Sequence, residues 1–590
     1  MSILLFFIIS YVLLSASLYR VFDKANVQPT KAFIPGVNFV AWCQIIGRPK
    51  WWPALLLIPL VNVFIFAGMC VDMIRSFKKY SFGESFKAVV YAPFAFFQIG
   101  NNLKEQYDGP SLRKERAYLE KIEQARQEKN TYKLKKLVTK NPYQKTALRD
   151  WTEAVVFAVF AAAFIRLFTI EAYAIPTSSM EGSLNVGDHL FVSKIHYGLR
   201  TPSTVLMIPL LHNRIPYINR ESYLKNPNLP HYRLPALEKL DRNKPVVFNM
   251  PEGDSVYITP ERSWSSYDVR RNAVPSDVVR GIEQGRYSLV TRPIDKIDHY
   301  VKHCIGLPGE TLQIKDRQVF VNDQAVTNPK NLQYRYLVKF PRLLNERKFS
   351  DWGITKEDQQ YYNAAGPNHK MLVLNETQKA KIQAMDKDVE FVLNDMYWVS
   401  FPIEFDRTQL ADLGINNAHI RASSSQNRLL MTLSPNQKNQ LQQIDNQIAI
   451  ERYNESDRLF PHDPVHFDGW NVDNYGPVWI PKSGETIDLS TANIAMYRRA
   501  IEVYENNDLR IEGDQIFING EVTSQYTFQL DYYWMMGDNR NNSEDSRMWG
   551  FVPQTHILGK PLFIYFSTKE NDIFKGINWN RMFTSASKAE

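Results

Sequence analysis

A mostly apolar run of 17 residues, Ala154 to Ile170, stands between Glu153 and Glu171. As a helix rising 1.5 Å per residue it covers about 26 Å, just adequate for the hydrocarbon core of a bilayer. Trp151 and Tyr173 flank it where interfacial aromatic residues belong. Three earlier runs carry the same signature. Ile3 to Leu18 reads as an uncleaved anchor, because no Lys or Arg precedes it, although Ser15-Ala16-Ser17 offers small residues of the cleavage-site kind. Trp52 to Met73 is long enough to span, given a need for roughly 20 residues. Ala88 to Ile99 contains Pro93 and reads as re-entrant or interfacial, with a full span as the alternative. Arg166, four residues from the end of the last run, is expected to snorkel to the headgroups; the alternative is a contact with the domain that follows.

The chain carries a formal charge of +8. A basic chain invites a nucleic-acid reading, but the excess is local. Between Asn101 and Asp150 there are 13 Lys and Arg against 7 Asp and Glu. A basic block beside apolar runs fits the positive-inside rule and places this block in the cytoplasm. Its Ser111 to Val138 part reads as one charged, exposed helix. The last span then runs outward, and everything beyond about Tyr173 lies on the far side. Three spans put the N-terminus inside, four outside. The three cysteines, Cys43, Cys70 and Cys304, have no metal or disulfide spacing.

Beyond the last span the pattern is mainly strand. Short alternating runs separated by turn residues recur at His189 to Ile195, Lys244 to Met250, Leu312 to Asn322 and Leu509 to Asn519. The last two match in spacing and read as two similar hairpins, with no repeat architecture implied. Between them, from about Lys330 to Ala500, lies a long polar region with a Gln/Asn-rich helical stretch from Ser434 to Ile450.

Three blocks carry chemistry. The first is Arg166-Leu-Phe-Thr-Ile-Glu171-Ala-Tyr173-Ala-Ile175-Pro176-Thr177-Ser178-Ser179-Met180, followed by Gly187-Asp188. The second is His299-Tyr300-Val301-Lys302-His303-Cys304 through Gly309-Glu310. The third is Gly537-Asp538-Asn539-Arg540 through Ser543-Glu544-Asp545-Ser546-Arg547. Taken singly each has a bland reading as loop, solvated lysine or turn. In this order, after a membrane span, they resemble the type I signal peptidases, bacterial leader peptidases of peptidase family S26. The apolar N-terminal region resembles the extended form of such enzymes in Bacteroidetes-type bacteria.

The resemblance implies a serine endopeptidase with a Ser–Lys dyad that removes signal peptides from exported preproteins through an acyl-enzyme, at the outer face of the cytoplasmic membrane. It implies Ser179 as nucleophile and Lys302 as base. It implies oxyanion donors at the Ser179 N–H and the Thr177 hydroxyl. Ser543 would hydrogen-bond the lysine, Asp545 and Arg547 would form a buttressing ion pair, and Gly537, Asp538 and Asn539 would support the site. Substrate would add as a strand beside Tyr173 to Thr177 and His299 to Val301, over shallow apolar pockets lined by Ile175, Met180, Leu184, Tyr300 and Val301. The chemistry demands an uncharged amine: a serine hydroxyl needs a base, and lysine serves only if burial lowers its pKa by roughly 2–3 units. Lys302 lies in an apolar, strand-like run that makes burial plausible.

The implied fold is membrane-anchored and mainly β: transmembrane helices, then an extracytoplasmic all-β catalytic domain with α/β insertions. The divisions are a membrane module over 1–100, a basic cytoplasmic segment over 101–150 and an anchor over 154–170. The catalytic core follows in two parts, 171–325 with an insert at about 200–240, and 501–570, separated by a large insertion over 326–500. A tail covers 571–590. Ser179 stands nine residues beyond Ile170, which limits an extended chain to about 30 Å. The nucleophile is thus held near the bilayer, where tethered substrates are. No cofactor, metal or nucleic-acid partner is expected; the partners are preproteins, the lipid bilayer and the export channel.

The chain departs from the family where Met180-Glu181-Gly182-Ser183-Leu184 lacks the usual proline, which should loosen that turn. Ser178 replaces a common glycine and is a rival nucleophile. Three other readings remain: a Ser–Lys self-cleaving repressor, which the spans oppose; a catalytically decayed scaffold, which the intact residues oppose; and a Ser–His protease using His303, which strand alternation turns to the opposite face from Lys302.

Overall fold

Helices make up the N-terminal part, and strands are the main regular elements beyond it, as the hydropathy pattern predicts. The computed structural model describes residues 3–57, 61–144, 147–204, 206–215, 220–226, 228–260, 262–329, 331–356, 358–360 and 368–586. The chain divides into two compact units, Met1–Ala162 and Ala163–Glu590.

The first unit is helical. The helix Ile3–Lys24 buries Leu18, Val21 and Phe22 in a core shared with Trp42, Met69, Met73 and Phe96. Arg48 and Asp72 pair at 2.7 Å within it. Among the described residues one helix is long and apolar enough to cross a membrane, over Asp150–Phe168. The apolar run at 52–73 is not one helix. It forms a 3₁₀ turn, Trp52–Leu57, and a 15-residue helix, Val61–Arg75. That helix is about 22 Å long, short of a bilayer's apolar thickness. The run around Pro93 divides into Phe82–Val90 and Ala92–Asn101, with the proline in the first helical turn, where its missing N–H costs nothing. The charged stretch expected as one helix is two, Ser111–Gln127 and Thr131–Thr139. Lys129 between them is left-handed, and Asn130 caps the second.

In the second unit a seven-stranded antiparallel sheet collects strands from far apart in sequence: β1 (Ile170–Ala174), β2 (Asp188–Ser193), β3 (Lys244–Asn249), β4 (His299–Gly306), β5 (Tyr532–Met536), β6 (Val552–Pro553) and β7 (Ile557–Ser567). Their spatial order is β1-β2-β7-β3-β4-β5-β6. The C-terminal strand β7 therefore lies between β2 and β3. The two similar hairpins fold with matched registers, Leu312↔Val321 with Ile314↔Val319 in one and Leu509↔Ile518 with Ile511↔Ile516 in the other.

The long polar region is folded, and most of it is a tandem duplication that the sequence reading did not find. One four-stranded sheet has the order Gln359–Gln360, His369–Leu374, Tyr334–Lys339, Glu390–Leu393; a second has the order Ile420–Ser425, Arg428–Thr432, Met396–Ser400, Ala449–Arg452. Ranked by position in the sequence, both orders are second-third-first-fourth. Each sheet carries a ten-residue helix, Glu376–Met385 or Pro435–Ile444, and each helix opens on a capping box. Smaller features repeat too. Gly353 and Gly414 are both left-handed, and the Gln378 and Gln437 amides donate to Gly353 O and Leu413 O. The Gln/Asn-rich helix accordingly ends at Ile444, and Ala449–Arg452 is a strand.

Candidate active site

Strand β1 ends at Ala174, and Ile175-Pro176-Thr177 lead into a 3₁₀ turn, Ser178–Met180. This turn presents Ser179. Lys302 lies in the middle of β4. Its Nζ donates to Ser179 Oγ at 2.7 Å and to Val301 O at 3.1 Å. Lys302 is 3% exposed, and burial lowers its pKa to about 8 against the opposing pull of Asp545, Glu544 and Asp538. A tenth of such an amine is uncharged at pH 7, so it can act as a base.

The rival hydroxyl is occupied elsewhere. Ser178 Oγ is buried and accepts from Asn542 Nδ2 at 3.0 Å. Asn539 N donates to Ser179 O at 3.2 Å, and its side-chain Nδ2 donates to Ser178 O at 3.3 Å. The Gly537–Asn539 turn thus grips the Ser178–Met180 turn. Contact is close enough that a Cβ on Gly537 would lie 2.5 Å from Ser179 O. Asp545 and Arg547 form a fully buried pair at 2.8 Å. Burial alone would raise the Asp545 carboxyl, but Arg547 outweighs it and holds it low. Asp545 also accepts from Gly537 N at 3.1 Å. Thr177 is exposed and precedes the turn without a side-chain capping bond.

Two site expectations need correction. Ser543 does not hydrogen-bond Lys302: among the described residues the ammonium's bonds go to Ser179 and Val301, and Ser543 Oγ instead crowds Gly537, 2.4 Å from where a Cβ would be. Tyr300 lies outside the apolar cluster that holds Ile175 and Val301. Alternation along β4 puts it on the same face as Lys302, its ring 5.4 Å from Nζ and 5.4 Å from the Trp549 ring. Tyr173, Ile175, Met180, Leu184 and Val301 do come together, in one cluster with Leu190, Val192 and Val247. His303 is turned away from Ser179, with Nδ1 3.1 Å from Asp538 Oδ1.

The turn without the family's proline is not loose. Gly182 takes a left-handed conformation, its N–H donates to Asn185 Oδ1, and Ser183 Oγ donates to Asp538. Asp188 is gripped by Arg581, which also donates to Ser183 O. Arg581 comes from the segment read as a tail, so that segment supports the floor of the site. Burial and then the neighbouring Asp358 push Glu181 up to about 8, with the Val186 N–H and Arg581 opposing. Arg166 is not free to snorkel. It pairs with Glu171 at 2.7 Å and donates to Leu210 O. Glu171 also holds Lys194 at 2.7 Å and accepts from Tyr173 Oη at 2.6 Å.

Backbone edges complete the picture. Among the described residues, β1 pairs only with β2, and the His299–Lys302 part of β4 pairs only with β3. Each leaves one edge open for a further strand.

The family model described as signal peptidase, peptidase S26, matches residues 148–399 and 484–566, more than half of the chain. The chain belongs to the peptidase S26 family. Similar curated proteins are the signal peptidase I of Aquifex aeolicus (strain VF5), 63% identical over 38 residues, covering 6% of this chain and 15% of that protein. That of Helicobacter pylori (strain J99 / ATCC 700824) is 36% identical over 93 residues, 14% of this chain and 30% of the other. That of Rickettsia massiliae (strain Mtu5) is 24% identical over 190 residues, 32% and 48%. The chain thus matches less than half the length of each of these relatives. A second model, for a family of unknown function, matches residues 30–110. The S26 match is divided, and the gap at 400–483 holds most of the second copy of the duplication.

Proposed function

We propose that this S26 chain is a signal peptidase I, a membrane-anchored serine endopeptidase that removes signal peptides from exported preproteins. The observation that carries the reading is the 2.7 Å bond between a buried Lys302 amine and the Ser179 hydroxyl. Uncharged Lys302 takes the Ser179 proton as Oγ attacks the scissile carbonyl. The Ser179 N–H and the Thr177 hydroxyl stabilise the oxyanion. Lys302 then gives its proton to the departing amine, leaving an acyl ester on Ser179. Water, deprotonated by the same amine, releases the signal peptide and restores the hydroxyl.

The open edges of β1 and β4 suit an extended substrate, and the cluster around Ile175 and Val301 suits small apolar side chains near the cut. The span over Asp150–Phe168 ends eleven residues before Ser179, which supports a reaction close to a membrane surface. The finer topology also belongs to this proposal: several membrane passes, the basic segment on the cytoplasmic side of a bacterial inner membrane, the catalytic unit outside it, and contact with the export channel.

The test is processing of a model precursor in detergent, with the cut site read by mass spectrometry. Ser179→Ala and Lys302→Ala should each lose at least about 1,000-fold in kcat, as a nucleophile and its base do when removed, while His303→Ala keeps cleavage. Precursor cut at the wild-type rate by Ser179→Ala would refute the dyad.

A further inference from the structure

The large insertion is built into the frame around the nucleophile. The chain enters it alongside the Asp538–Asn541 turn: Gln333 N donates to Asp538 O at 3.0 Å, and Arg540 N donates back to Gln333 O at 3.1 Å. Arg335 adds two bonds to Asn541, from its N–H to Oδ1 at 3.0 Å and from its guanidinium to the carbonyl at 2.9 Å. A carboxylate from the same insertion then reaches the turn from another direction. Asp358 is 1% exposed, and its Oδ1 accepts from Asn539 Nδ2 at 2.9 Å. The same Nδ2 donates to Ser178 O, and the Asn539 N–H donates to Ser179 O.

The chemistry of this relay is directional. A primary amide has two N–H donors at one end and an acceptor at the other, so a half-turn about its axis exchanges them. Asp358 Oδ1 is the acceptor here, so it holds the NH₂ end of Asn539 toward itself, and the same group is left aimed at Ser178 O. Without Asp358 the amide can turn its oxygen toward Ser178 O, where two acceptors repel. The carbonyls of residues 178 and 179 are both held by Asn539, so the setting of the Ser179 side chain depends on this amide.

Asp358 is itself fixed by the duplicated sheet, through Val373 N to Asp358 O at 3.0 Å. The second copy has the same bond, Thr432 N to His419 O at 2.7 Å. The position matching Asp358 there is a histidine, so the acidic prop belongs to the first copy alone.

We propose that Asp358, carried by the insertion, is a positioning residue for the Ser179 nucleophile, acting through the Asn539 amide. The inference rests on the reading of Ser179 as nucleophile and adds to it a role for the insertion: it completes the support of the site.

The test uses the full-length protein in detergent with a model precursor, and Asp358→Ala and Asp358→Asn beside wild type and Ser179→Ala. Asp358→Ala should lower kcat by about 10- to 100-fold, the scale of a misplaced reacting group, with KM within about threefold. Asp358→Asn can still present an acceptor to Asn539 and should recover most of kcat. The acid limb of the kcat/KM profile should stay where it is in both variants, because the acids that act on Lys302 are Asp545, Glu544 and Asp538. Wild-type kcat in Asp358→Ala, with Ser179→Ala inactive, overturns the positioning role alone. So does a loss in both variants that tracks a lowered unfolding midpoint. Processing by Ser179→Ala would bring down the dyad and this inference together.

Discussion

Lys302 is the residue on which burial acts most directly. In an unfolded chain a lysine holds its proton to about pH 10.4; in this fold burial lowers that to about 8. The folded state therefore loses a proton that the unfolded state keeps between those values, and stability rises with pH across that window. Below pH 8 the charged amine costs about 3 kcal/mol, the equivalent of the shift. Lys302→Met should be inactive yet more stable than wild type at pH 7, by about 1–3 kcal/mol after its lost hydrogen bonds are counted. The gain should shrink from pH 8 to 10.4. Denaturant unfolding at several pH values measures it, and a Met variant less stable than wild type at pH 7 would contradict the burial argument. In the active protein the same titration appears as a kcat/KM that climbs with pH up to about 8. The juxtaposition of Ser179 and Lys302 was legible in the motif order, and alternation along one strand separated Lys302 from His303. The same alternation puts Tyr300 and Val301 in different apolar clusters, although the resemblance implies both as pocket residues. Ser543 followed from family position, and here its hydroxyl is crowded against Gly537 instead.

At the level of elements the site is two turns pressed together, and Gly537 is where they touch. A methyl group there would meet Ser179 O at 2.5 Å and Ser543 Oγ at 2.4 Å. The serine side chain can move, but the carbonyl belongs to the nucleophile turn. Gly537→Ala should therefore displace Ser179 and reduce kcat by about 100-fold, which single-turnover processing would measure; an unchanged rate would mean that the turns can separate freely. Strands with clean alternation and flanking turn residues were readable, including both matched hairpins. The duplication was readable and missed. Met371-Leu-Val-Leu-Asn-Glu-Thr-Gln378-Lys and Leu430-Met-Thr-Leu-Ser-Pro-Asn-Gln437-Lys keep the same apolar-then-cap pattern 59 residues apart. Few identities survive because each copy needs only its core positions and its capping box. Helix breaks were less legible. A break at Lys129 needs only one left-handed residue, which no apolar period records.

For the whole molecule, the proposed anchoring of a peptidase predicts a preference for substrates in the same membrane. Tethering raises the effective concentration of a nearby partner by orders of magnitude. With the protein in proteoliposomes, a cleavage site in a membrane-held precursor should be cut with a kcat/KM about 100-fold or more above that of the same site as a free peptide. Equal values would remove the membrane from the account of specificity. The origin of the strands in the main sheet was the least legible feature, since pairing between residues 190 and 564 leaves no local mark in sequence. That pairing has a consequence in time. Among the described residues the strand leading to Ser179 pairs with its neighbour β2, and within the sheet β2 is linked to the strand that holds the amine through Ile557–Ser567. At 5–20 residues per second, a ribosome that has just finished Lys302 needs roughly 10–50 s more to deliver that final strand. Until then the sheet that carries the two groups of the proposed dyad is incomplete, so on that reading a chain still lacking this strand is silent.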